Sequence, residues 1–383
     1  MGSRCMALAP KKVLVHQCLR CGRRYPHGYT PRCIACGDLV EVQYDLGAAR
    51  LHDSPVVMER YFDLLPIREP DSLLPLGEGN TPCVHAAVLG ASLGLERVYL
   101  KLESQNPTGT TKDRMAAVVL SLFNELGIAE FLSSSTGNTA NSLAYGIHRY
   151  PRFKMHLYIG AAFQEGVRFA NSNPRVVLNV LEGMSYAEVS NYARGEAKRR
   201  GLPFEAGFFN PARREGLKLA YFEAVEQVPD EIRWYFQAVS SAMGAYGTWK
   251  GAKELQALGK VHALPRMVCV QQESCCPMVK AFEEASPAIK RHHIVPDPSG
   301  IAKSILLGDP SECYPYVYGM VRKSGGTFSR VSESEIREAR ARLVEVEGID
   351  CGNNAATTVA ALVRLADRGA IRTEETVLLN LTD

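Results

Sequence analysis

The stretch VYLKLESQNPTGTTKDRMAAVVLSLFNEL, residues 98–126, decides the reading of the fold. Val98–Leu102 is a short apolar run of strand length, and residues 113–126 follow with the apolar spacing of a helix. Between them Asn106-Pro107-Thr108-Gly109-Thr110-Thr111-Lys112-Asp113-Arg114 leaves the strand and opens the helix. Working outward, further strands are predicted at Met155–Ile159, Phe236–Val239 and Arg266–Gln271, with helices from about Thr248 and over Pro277–Glu284. A last helix, about Ala355 to Arg368, precedes a strand at Val377–Leu381. Such alternation predicts an α/β architecture with parallel sheets. Residues 46–75 read as a helical connector, broken at Leu64–Pro66 and Glu69–Pro70.

The 44 basic and 41 acidic residues leave a net charge of +3, too small to draw in nucleic acid or a membrane surface. No apolar run is long enough to span a bilayer, and Met1 to Pro10 lack a signal peptide's apolar centre. The expectation is a cytoplasmic enzyme with a small-molecule substrate and no nucleic-acid or membrane partner. Eleven cysteines, an odd number, argue for free thiols rather than a disulfide framework. Adjacent Cys275 and Cys276 read as small buried hydrophobes, or as one buried and one exposed thiol.

Cys18, Cys21, Cys33 and Cys36 stand apart as two C-x2-C pairs, with Gly22 and Gly37 directly after each. Two such knuckles offer a closed tetrahedral four-thiolate site, so a zinc ribbon is expected within residues 1–45. A redox dithiol needs only one pair. The ribbon reads as a stabilising cap, and Arg20, Arg23, Arg24 and Arg32 as its solvated face.

Four loops fall where ligand loops belong in an α/β protein. Gly77-Glu78-Gly79-Asn80-Thr81-Pro82 is by itself a turn. In the second loop Lys112 sits in the first turn of a helix, where the dipole lowers its pKa and favours the neutral, nucleophilic amine. The third, Ser133 to Asn141, sets hydroxyls, Gly137 and Asn138 at a helix N-terminus, suited to an anion or to plain capping. The fourth, Ser240 to Thr248, suits a phosphate cradled by backbone amides. G-x-G-x-x-G with a following acid is absent, which disfavours a dinucleotide enzyme.

Together, in this order, the four loops resemble the tryptophan-synthase-β or fold-type-II group of pyridoxal-phosphate (PLP) enzymes, and within it threonine synthase. The match runs from about Leu76 onward. G-E-G-N-T-P at 77–82, N-P-T-G-x-x-K-D-R at 106–114, S-T-G-N-T at 135–139 and N-P-x-R-x-E-G-x-K at 210–218 carry it. Cysteate synthase, which uses phosphoserine and sulfite, is similar over residues 210–250 and the C-terminal strand. The resemblance implies two parallel-sheet lobes, a large one of residues 46–122 and 206–383 and a smaller one of 123–205, and a homodimer. It implies that Lys112 is the Schiff-base lysine and proton shuttle, and that Asn138 faces the cofactor's 3'-oxygen. Ser241, Ala242, Met243, Gly244 and Ala245 would bind its phosphate, with a shifted register over Gly244–Thr248 also open. Thr382 would stand opposite the pyridine nitrogen. Ser135, Thr136 and Thr139 would hold the substrate carboxylate, and Arg213 and Lys218 a substrate phosphate. The implied reaction is elimination and replacement on an O-phosphorylated amino acid. Alternatives are β-replacement on an aminoacrylate route, or a non-catalytic relative acting as a binding module. Ser240–Ala245 in place of a glycine-rich loop, and Gly352-Asn353-Asn354 in place of E-P-x, depart from the family pattern.

Overall fold

The computed structural model describes residue 12, residues 14–135 and residues 137–382. Its strands, in chain order, are β1 (Val15–Cys18), β2 (Arg24–Tyr25), β3 (Val40–Gln43), β4 (Cys83–His85), β5 (Val98–Leu102), β6 (Glu130–Ser134) and β7 (Lys154–Gly160). They continue with β8 (Val176–Leu181), β9 (Ile232–Ala238), β10 (Arg266–Gln272), β11 (Thr327–Val331) and β12 (Thr376–Leu381). They form three sheets, ordered β2-β1-β3, β11-β10-β9-β12-β5-β4 and β6-β7-β8. The first is antiparallel. The second is parallel except where β4 meets β5, and the third is wholly parallel.

Strand periodicity explains the large sheet. On β5 and β12, Val98, Leu100, Val377, Leu379 and Leu381 face one hydrophobic cluster, while Tyr99 and Leu378 face the other. Both faces are covered, as parallel sheets require. The helix Lys112–Glu125 packs against the helices Pro211–Leu217 and Asn138–Arg149 and is buried from Asp113 to Phe123. A helix apolar on nearly all sides is stable only in such a place. A lobe boundary at 122/123 would cut it.

Two expectations change, and one open alternative closes. Residues 46–75 are not a helical connector: they hold one turn of α-helix, Val57–Arg60, and short 3-10 turns at Phe62–Leu64 and Pro70–Ser72. Pro55, Pro66, Pro70 and Pro75 deny a longer helix its hydrogen bonds. The helix after β9 starts at Met243 rather than near Thr248. Cys275 and Cys276 are both buried. Among the described residues no helix is long and apolar enough to cross a membrane.

In the N-terminal sheet the sulfurs of Cys18, Cys21, Cys33 and Cys36 all lie within 4.8 Å of one another. Gly22 and Gly37 take φ of 70° and 72°, the left-handed turn that lets each knuckle close. Their amides return to the carbonyls of Cys18 and Cys33 at 3.1 and 2.8 Å.

Candidate active site

A cavity of about 330 Å³ opens between the two parallel sheets, at the carboxyl ends of β6 and β9. Lys112, the first residue of its helix, is half-buried on its wall. Among the described residues nothing hydrogen-bonds its Nζ. Burial, and secondarily the Arg213 guanidinium, lower its pKa to about 8.

The loop holding Lys112 is locked from behind. Asp113 accepts from the backbone and hydroxyl of Thr108, both at 2.7 Å. Asn106 accepts from the Gly79 amide at 2.9 Å. Arg114, fully buried, pairs with Glu103 and Glu223 at 2.7 Å each and donates to Thr81 at 3.0 Å. Lys101 joins Glu223 at 2.7 Å. Residues 77–82 therefore do not line the cavity; they clamp the loop that does. Gly79 permits this approach, since a Cβ there would meet Val57 at 2.4 Å.

Of the hydroxyl loop, Ser135, Asn138 and Thr139 line the cavity, whereas Thr136 lies outside the described residues. Ser135 Oγ accepts from the Gly137 and Ala140 amides, both at 3.2 Å, so it also caps its own turn. Asn138 Nδ2 reaches Ser304 at 3.4 Å, and the Ser304 amide donates to Asn354 at 3.1 Å. The segment 352–354, which departs from the family pattern, thus acts on the cavity through Ser304.

In the fourth loop Ser241 and Met243 line the cavity. Ser240 lines it as well, whereas Ala242, Gly244 and Ala245 are not among the lining residues. The Tyr246 amide bonds the Ala242 carbonyl at 2.9 Å, so the helix's unpaired N-terminal amides precede it. Gly244–Thr248, the alternative register, lie inside the helix Met243–Ala257. Ala242 adopts φ 59°, a left-handed conformation that glycine enters freely. Thr382 is buried beyond the end of β12, outside the cavity lining.

Arg213 lines the cavity but is not a free cation. Its Nε and Nη2 both engage the buried Glu205 carboxylate, and only Nη1 reaches toward Thr139, at 3.4 Å. Glu205 also accepts from Asn210 at 2.8 Å. Lys218 is corrected as a substrate residue. It lies outside the cavity, fully buried, with Glu215 and, at 2.6 Å, Glu254. Lys250 joins Glu215 at 2.8 Å, and the Tyr44 ring lies 4.6 and 4.5 Å from the two ammonium groups. This closed set seats the N-terminal module on the body of the protein.

Several lining residues were not anticipated: Tyr186, Ser190, Asn191 and Arg194 on the helix Tyr186–Arg200, and Asp309 and Glu312 on a loop opposite. Their sequence signals were the capping box Ser185/Glu188 and the four-residue spacing of Tyr186, Ser190 and Arg194. Arg32, read as solvated, stacks its guanidinium 3.3 Å from the Phe209 ring centroid and pairs with Glu312 at 2.8 Å.

Comparison with known proteins places this arrangement. Threonine synthase of Methanosarcina acetivorans is 32% identical, over 94% of this chain and 89% of that protein. Threonine synthase of Methanocaldococcus jannaschii is 30% identical, over 95% and 91%. Cysteate synthase of Methanoculleus marisnigri is 28% identical, over 97% and 88%. The processed form of threonine deaminase isoform 2 from Solanum lycopersicum shares the fold, with a TM-score of 0.66 at 16% identity over 87% of this chain and 91% of that one. The model of the pyridoxal-phosphate dependent enzymes matches residues 74–383, and the chain belongs to that family, on its threonine-synthase-like side.

Proposed function

We propose that this chain removes phosphate from an O-phosphorylated amino acid and adds water or another nucleophile in its place, with PLP as cofactor, as a threonine synthase does. The observation that carries the reading is Lys112: a helix-start lysine on a cavity wall, without a hydrogen-bonded partner among the described residues, its pKa lowered to about 8. Its surroundings suit the cofactor. Unpaired amides at the start of Met243–Ala257 match a phosphate, and Asn138 offers an amide to a ring oxygen. PLP, when bound, supplies an aldehyde that captures an amine and an electron sink that acidifies the Cα–H bond.

Lys112 would hold that aldehyde and, once displaced by substrate, move the proton at Cα. Both tasks need a neutral amine, and a pKa of about 8 leaves an appreciable neutral fraction near pH 7. Ser135, Thr136 and Thr139 would orient the substrate carboxylate. The backbone of residues 241–245 would bind the cofactor phosphate, and Thr382 would present a neutral hydroxyl at the ring nitrogen. Arg213, held by Glu205, would act as an oriented hydrogen-bond donor. A β-replacement on phosphoserine is the second reading, favoured by similarity to cysteate synthase along nearly the whole chain.

For the N-terminal module we propose one structural zinc on Cys18, Cys21, Cys33 and Cys36. Four converging sulfurs match the ion's tetrahedral preference and leave no position open for catalysis.

The test is phosphate release by the holoenzyme from O-phospho-L-homoserine and O-phospho-L-serine, with the O-acetyl analogues beside them. Release from either phosphorylated acid is expected. Turnover of the acetylated compounds alone would overturn the phosphate reading and leave the cofactor assignment in place.

A further inference from the structure

The cavity wall carries three cationic side chains among its described residues: Lys112, Arg194 and Arg213. A substrate bearing a phosphate dianion needs a cation with donors to spare. In the reading above Lys112 belongs to the cofactor. Arg213 has two of its three guanidinium nitrogens on Glu205, so that stretch of wall is neutral. Arg194 remains. It is 44% exposed; among the described residues its ion pair, to Glu312, is loose at 3.6 Å, and the Phe204 ring lies 5.9 Å from its guanidinium. Ser190 lies one turn before it on the same helix face, with Asn191 three residues before it, and both line the cavity.

Glu312 has a closer partner. Arg32 of the N-terminal module meets it at 2.8 Å, and the Arg32 guanidinium is fixed by its stack on Phe209. The carboxylate therefore keeps a counter-ion whenever Arg194 lets it go. Asp309, the other acid at this end, accepts from the amide of Ser311 at 3.0 Å and closes its own turn.

We propose that Arg194 is the specificity-determining residue for the far end of the substrate, where it binds a compact oxyanion carried on the amino acid's side chain. In the reading above, on which this inference rests, that oxyanion is the departing phosphate. Arg32 is a positioning residue: it keeps Glu312 from neutralising Arg194. The N-terminal module is then part of the substrate site as well as a cap.

The experiment uses holoenzyme, in which the cofactor's own phosphate site is filled. KM and kcat for O-phospho-L-homoserine and O-phospho-L-serine are measured, and the binding of inorganic phosphate and of succinate is followed by calorimetry. Arg194→Ala should raise KM and weaken both anions by about tenfold, with kcat changed much less. Arg32→Ala should weaken them by about threefold as Glu312 turns onto Arg194, and adding Glu312→Gln should restore the parent value. A purely structural contact would not be rescued by a second substitution. Equal anion affinity in the parent and Arg194→Ala overturns the proposal, as does a double variant no better than Arg32→Ala. If no phosphorylated acid turns over but both anions bind through Arg194, the substrate reading fails and the oxyanion site stands.

Discussion

The inner and outer ends of the cavity are built from different material. At the inner end Lys112, Ser135, Asn138 and Ser241 sit on loops that leave strands and open helices, and buried charge stiffens the Lys112 loop. Arg114 and Lys101 hold Glu223 down to about 2 against the upward push of burial. At the outer end the charged groups are exposed: Glu312 is 58% accessible and Arg194 44%. Buried pairs are costly to break, and exposed ones contribute little to stability. The inner end is therefore rigid and suited to placing a reacting amine. The outer end can exchange partners and suits the choice of substrate.

The largest effect is expected at the inner end. Lys112→Ala should abolish the visible band of a lysine-linked cofactor and lower kcat by about 1,000-fold or more. Borohydride reduction and peptide mapping should find the label on Lys112; a label on another lysine removes it from the chemistry.

Stability separates the two ends next. Arg114→Ala leaves Glu103 and Glu223 buried without a cation and should cost about 3–5 kcal/mol in urea unfolding. Arg194→Ala, at an exposed pair, should stay within about 0.5 kcal/mol of the parent. Similar losses in both would erase the distinction.

A smaller effect sharpens the electrostatics of the inner end. Uptake of PLP by apo-enzyme should speed up as pH rises through about 8, because only the neutral Lys112 amine attacks the aldehyde. Burial is the larger cause of that lowered pKa and Arg213 the next. Arg213→Gln removes a cation that disfavours the ammonium and frees Glu205, which favours it, so the midpoint should move up. A midpoint that stays or falls would show that Arg213 does not act on Lys112.

The smallest effect lies in the phosphate loop. Ala242 already holds a glycine-like φ of 59°. Ala242→Gly should be neutral or stabilising by up to about 1 kcal/mol, with cofactor affinity unchanged. A loss of cofactor would give the alanine methyl a role in the site.

Much of the inner end was legible in the sequence. Strand Val98–Leu102 and the helix opening at Lys112 stand where residues 98–126 put them. The reading of Lys218 beside Arg213 failed on packing. Lys218 stands at the break between the helices Pro211–Leu217 and Leu219–Gln227, and its side chain goes to Glu215 and Glu254 while Arg213 goes to Glu205. The strands Val176–Leu181 and Thr327–Val331 passed unread because they are short and polar residues interrupt them, Asn179 in the first and Ser329 and Arg330 in the second, although Asn173-Pro174 and Gly325-Gly326 mark turns before them. The helix Tyr186–Arg200 passed unread because it is polar and only lightly buried.

By itself the sequence determined what short-range rules encode: alternating strand and helix, cysteine knuckles closed by glycine, and a lysine at a helix start. Periodicity, turn chemistry and the helix dipole act within a few residues, so they can be read from a short window. Tertiary structure alone decided that Glu205 neutralises Arg213, that Lys218 turns to Glu254, and that Arg32 and Arg194 meet over Glu312. Those pairs depend on which helix and sheet faces pack together, and a charged side chain reads the same in sequence whether it ends in water, in a partner's fork or at the wall of a cavity.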